Sequence, residues 1–200
     1  MAVRIIAGGI YQLCDARYLN ALEADIYLSF SFDAIDPASV TVEQAKEILN
    51  WLHEPAVVAA FGLHQDKQEV LYVLGQLGAK AILVPENHVL AAASDAWITF
   101  IEHPVKNPDD IPALQHDDRL FHILNLNAGN ISLDELCNHT DYTDWKKLIQ
   151  NDHIFIRVPL SDYTSTLQQE WQPGGWDIRV PSAESGTDLP DIYGDFLEAL

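Results

Sequence analysis

Positive charge is scarce in this chain: eleven Lys and Arg stand against thirty Asp and Glu, a formal charge of −19 over 200 residues. A surface so negative repels a phosphate backbone, which excludes nucleic acid as an expected partner. The acids are dispersed, and no long block of like charge marks a face for a basic partner. Cysteine is nearly missing as well. Cys14 and Cys137 are far apart and lack metal-like spacing, so each reads as a buried free thiol. No apolar run reaches the roughly 18 residues of a membrane span, and no secretory signal pattern opens the chain. The expected setting is cytoplasmic, with no membrane contact.

What the chain does contain is apolar and regularly punctuated. It is 48% hydrophobic, with ten Gly and ten Pro, which suits one domain over residues 1–200 with a sizeable core. Eight short β-rich runs recur: 3–7, 26–30, 56–61, 81–84, 97–101, 121–124, 154–158 and 177–180. Several are continuous apolar runs, as strands buried on both faces of a parallel sheet require. Between them, Thr41-Val42-Glu43-Gln44 and Asp66-Lys67-Gln68-Glu69 have the form of helix-capping boxes, each followed by an apolar face. Gly78 is placed to stop the second helix. Shorter helices are expected over 134–139 and 144–150, and a closing helix over 190–200. Residues 86–95 and 103–116 carry little helical signal, with Pro104, Pro108 and Pro112 among them. Eight strands alternating with helices predict a compact (β/α)8 TIM barrel with abbreviated fourth and fifth helical connections. A doubly wound open sheet fits the same alternation.

Specific residues narrow this further. Val3–Ile10 with Asp15-Ala16, the run Phe30-Ser31-Phe32 and then Asp36 to Ala45, Thr143-Asp144-Trp145, and Trp176-Asp177-Ile178 through Asp188 fall in one order along the chain. In that order they resemble the landmarks of the phosphoribosylanthranilate isomerase family. The resemblance implies a (β/α)8 barrel and a tryptophan-biosynthesis isomerase ancestry. It also places the family's functional positions. The catalytic cysteine falls on Ala7, the arginine that meets the anthranilate carboxylate on Ala38, and the general-acid aspartate on Asn125. The loop that cradles phosphate becomes Val158-Pro159-Leu160, and Pro159 has no amide proton to give. Alanine cannot transfer a proton and asparagine cannot deliver one at neutral pH. The resemblance therefore implies a pseudoenzyme: the fold of an isomerase without its chemistry.

Strand ends at the expected barrel mouth offer other residues: Ser29, Ser31, Asp33, His64, Glu86, His88, Glu102, His103, Asn125, Asn127, Arg157 and Arg179. Arg157 and Arg179 on neighbouring strands could hold an anion, and with Asn125, Glu86 and His88 they form the expected ligand-binding set. No acid is expected close enough to pair with them, so the two converging guanidiniums call for sulfate, phosphate or a carboxylate metabolite between them. The His and Glu residues show no metal-binding spacing, so no metal and no cofactor is expected. The partner is then a small anionic or phosphorylated metabolite, or a protein. The alternatives are an active isomerase or new chemistry at the mouth.

Overall fold

A computed structural model describes residues 4–22, 25–91, 97–114, 117–157 and 170–179. Eight strands alternate with helices or turns: β1 (Arg4–Gly8), β2 (Asp25–Ser31), β3 (Ala56–Ala60), β4 (Ala81–Pro85), β5 (Ile98–Pro104), β6 (Leu120–Asn125), β7 (Ile154–Arg157) and β8 (Gly175–Arg179). Each pairs in parallel with the next, and β8 pairs with β1, so the sheet closes into a barrel. The open-sheet alternative is thereby excluded.

The helices start and stop where their side chains dictate. Helix α1 (Leu13–Asn20) follows β1. In α2 (Val42–Leu49), the Thr41 hydroxyl accepts from the Gln44 amide at 3.2 Å, and the Gln44 side chain accepts from the Thr41 amide at 2.8 Å. In α3 (Lys67–Leu77), the Asp66 carboxylate caps the amides of Gln68 and Glu69, and Gly78 ends the helix at a φ of 65°. Two further helices, α4 (Leu133–Cys137) and α5 (Tyr142–Ile149), lie between β6 and β7. Among the described residues, the β4–β5 and β5–β6 connections contain no helix, as the weak signal there implied. The expected helix over 190–200 lies outside the described residues. Among the described residues, no helix is long and apolar enough to cross a membrane.

Side-chain parity divides the core in two. Ile6, Val58, Ala60, Ala81, Leu83, Phe100, Ile123 and Phe155 fill the barrel interior. Ile5, Ala7, Leu28, Phe30, Leu124 and Ile178 face the helices instead. Phe155 meets Phe100 edge-on at 5.3 Å, and the Arg4 guanidinium covers the rings of Phe121 and Phe155 at 5.2 and 5.3 Å. Aromatic packing thus plugs the N-terminal half and leaves the C-terminal half to polar residues. Trp145, Trp171 and Trp176 are buried as packing residues, and the Trp145 indole donates to the Pro108 carbonyl at 2.8 Å. Trp51 departs from that pattern, at 72% exposed. Cys14 is exposed and Cys137 half-buried, so neither is the buried thiol expected.

Candidate functional site at the barrel mouth

Extending the interior rows by one step toward the strand C-termini gives the mouth. Two residues beyond Phe100 lies Glu102, two beyond Ile123 lies Asn125, and two beyond Phe155 lies Arg157. On β8, Asp177 and Arg179 follow Gly175 at the same spacing. A strand period of two aims all five side chains inward. Arg157 and Arg179 line one enclosed space there.

The arginines are not left waiting for an anion. Arg157 lies 2.8 Å from Glu102, and its Nε donates to Asp177 at 2.6 Å while Nη2 pairs with the same carboxylate. Asn125 Nδ2 donates to Glu102 at 2.6 Å, and Arg179 Nη1 donates to Asp36 at 2.7 Å. The expectation that no acid stands close is therefore corrected. Fully desolvated guanidinium needs a counter-charge, and Asp177, 1% exposed beside it, supplies one from within the chain. Burial opposes the charge on Arg157, but Asp177 and Glu102 overcome it and raise its pKa. Burial likewise works to raise Glu102, yet the Arg157 charge and the Asn125 amide hold its carboxyl below the usual range. Asp36 is lowered too: the Ala38 amide and Arg179 outweigh its burial. Asp177 goes the other way, raised by burial against the pull of Arg157.

Inside this network, Ser29, Ser31, Arg157 and Asp177 enclose about 10 Å³, roughly the room of one water. Outside it opens a cleft of about 470 Å³, lined by Asp33, Asp36, Glu102, Arg179, His64 and the apolar Leu63, among others. Asp33 packs so closely on Gly62 that a Cβ there would lie 2.2 Å from its Oδ2.

Other expected residues stand elsewhere. Ala7 is buried under the helices with its side chain turned away from the mouth. Gly8, its neighbour, lines the enclosed space, and a Cβ there would meet Arg179 Cδ at 3.7 Å. The inward position at the end of β1 is therefore Gly8. Neither Ala7 nor Gly8 carries a group that can transfer a proton. Ala38 sits in the loop after β2, its amide donating to Asp36 at 2.9 Å.

Glu86, His88 and His103 do not join the mouth. They line a separate cavity on the outer face of the sheet. His88 is 4% exposed, with Nε2 against the Gln65 carbonyl at 3.0 Å and Nδ1 accepting from the Leu90 amide. Both ring nitrogens are engaged, so it ties two loops together instead of waiting for a ligand. The expected Pro159 loop and residues 185–188 lie outside the described residues. Sequence reasoning missed Asp36 and Asp177 as arginine partners. The usable signal was Asp177 and Arg179 on one face of β8, since an acid inside a buried strand needs a cation.

No family model and no curated protein sequence matches the chain. Solved structures do. The phosphoribosyl anthranilate isomerase from Thermus thermophilus covers 98% of both chains at 18% identity, with a TM-score of 0.69. The Thermotoga maritima enzyme covers 98% of both at 16% identity, with a TM-score of 0.71. TrpF from Jonesia denitrificans reaches 0.71 at 13% identity, over 99% of this chain and 96% of its own. The fold is that of the phosphoribosylanthranilate isomerases. In that fold, catalytic groups sit at the C-terminal strand ends, where this chain carries the arginine–carboxylate network.

Proposed function

We propose that this phosphoribosylanthranilate isomerase-like barrel does not carry out the isomerisation, and that its mouth binds a small ligand. One observation carries the first half: the inward ends of β1 and β6 are Gly8 and Asn125, neither able to exchange a proton at neutral pH. Glu102 does not stand in as the acid, because Arg157 and Asn125 keep it ionised. A single acid–base group contributes roughly 10²–10⁴-fold to a rate, so losing both removes most of the acceleration. The decisive experiment is complementation of a tryptophan auxotroph lacking its isomerase, alongside turnover of phosphoribosylanthranilate by purified protein. No growth and no turnover above a vector control are expected. Growth at a wild-type rate would overturn the proposal.

Charge sets the ligand class. Asp33, Asp36, Glu102 and Asp177 outnumber Arg157 and Arg179 around the mouth, which favours a neutral or cationic polar molecule in the 470 Å³ cleft. A second reading, an anionic metabolite, is supported by Arg179 alone. It is 41% exposed and opens to the cleft, so a phosphate or carboxylate could take it from Asp36. Thermal shift with inorganic phosphate separates the two. No rise in melting temperature is expected, whereas a rise that disappears in Arg179→Gln supports the anionic reading.

A further inference from the structure

The cavity outside the barrel has its own chemistry. Its wall is the outer side of β5 and β6 with the turn after β4, and Ile101, Leu120 and His122 are buried there. Here Glu86, just past the end of β4, His103 on β5 and His122 on β6 form one line. His103 Nδ1 lies 2.9 Å from Glu86 Oε2, and its Nε2 lies 2.9 Å from His122 Nδ1. The two imidazole centroids are 5.1 Å apart. At 2.9 Å the two nitrogens stand at hydrogen-bond distance, closer than the roughly 3.3 Å that two ligands of one tetrahedral zinc keep. The histidines therefore share a hydrogen bond and do not chelate.

The hydrogen-bond network assigns the protons. With both rings neutral, the His103 Nδ1–H donates to Glu86, and the His122 Nδ1–H donates to His103 Nε2. Both N–H dipoles then point at the carboxylate, and the line polarises toward it. Beside it lies a cavity of about 370 Å³, walled by the apolar Ile101, Leu114 and Leu120. Glu86 is the one carboxylate among its described lining residues, and no Lys or Arg is among them. A pocket of mixed lining with an apolar wall and a single negative pole selects a hydrogen-bond donor of opposite charge.

We propose that this cavity is a second ligand site, separate from the mouth, for a small organic cation: a primary ammonium on an apolar body, its nitrogen on Glu86. The Glu86 side chain is 42% exposed, so its carboxylate is open to an arriving ligand. The body would fill the cavity against Ile101 and Leu120, which are 7% and 5% exposed.

Methyl NMR of the intact protein tests this with three probes of one shape: phenethylamine, phenethyl alcohol and phenylacetate. Phenethylamine should shift the methyls of Ile101, Leu114 and Leu120 saturably, the alcohol should bind more weakly, and phenylacetate should not bind. Glu86→Gln should weaken phenethylamine by about tenfold, the loss expected for one charge-assisted hydrogen bond. Equal binding of phenylacetate, or no binding of any probe, would overturn the proposal. So would shifts confined to Ile35 and Leu63 at the mouth, or an undiminished affinity in folded Glu86→Gln. The probe comparison needs no variant, so it decides the matter even if Glu86→Gln is unstable.

Discussion

At the residue scale, one step of strand parity separates Ala7 from Gly8. The sequence could not resolve that step, because Ile5, Ile6 and Ala7 are all buried, on opposite faces of β1. A strand covered on both sides shows no alternation of polar and apolar residues, so nothing in its composition says which face is inside. The same ambiguity put His103 with Glu102 at the mouth, although adjacent residues of β5 point apart. By contrast, Asn125, Arg157 and Arg179 stand at the inward-facing positions of their strand ends. Cysteine substitution reads the parity directly. In a background with Cys14→Ser and Cys137→Ser, Gly8→Cys puts a thiol against Arg179, whereas Ala7→Cys puts one among Ile5, Leu28 and Ile178. Thiolate absorbance against pH should show Gly8→Cys ionising below the free-thiol value of about 8.5 and Ala7→Cys above it. The reverse order would mean that β1 is turned the other way.

At the scale of the element, most of the fold was legible, and for physical reasons. Capping side chains fix where α2 and α3 begin, and Gly78 fixes where α3 ends. Strand β5 was read short. Its last residues, Glu102-His103-Pro104, look like loop by propensity, yet pairing of His103 with Leu124 and Pro104 with Asn125 carries the strand onward. That extension brings Glu102 to the mouth and His103 to the outer cavity. Between β7 and β8, a different device operates. A Cβ on Gly175 would lie 2.2 Å from Phe155 Cε1, so the glycine makes room for the ring that plugs the barrel. Gly175→Ala should cost about 1–3 kcal/mol by overpacking, read from urea unfolding. Phe155→Leu in the same chain should recover part of that loss. Strict additivity of the two substitutions would show that the contact is not the cause.

For the whole molecule, the charge of −19 and the buried network pull stability in opposite directions as pH falls. Lowering the pH from 7 toward the isoelectric point near 4.4 removes self-repulsion and should stabilise the fold. Below that, the paired carboxylates decide. Against their own burial, Glu102 is held below its ordinary value by Arg157 and Asn125, and Asp36 by the Ala38 amide and Arg179. A group depressed in the folded state binds its proton more readily when unfolded. Its stabilisation is therefore complete above the unfolded values of about 4.3 for Glu and 3.9 for Asp, and is lost as pH falls through the lower folded ones. Asp177, raised by burial, titrates in the opposite sense and offsets part of that loss. Stability measured by urea unfolding should thus peak between about pH 4.5 and 6 and fall steeply below pH 4. Glu102→Gln isolates the network's share, because glutamine keeps the shape and carries no titrating proton. The variant should be less stable than the parent at pH 7, having lost the ion pair with Arg157, and its acid limb should be shallower. If parent and variant fall in parallel below pH 4, Glu102 is not what the acid attacks. The collapse would then belong to the dispersed surface acids, and the mouth network would contribute to shape without contributing to acid sensitivity.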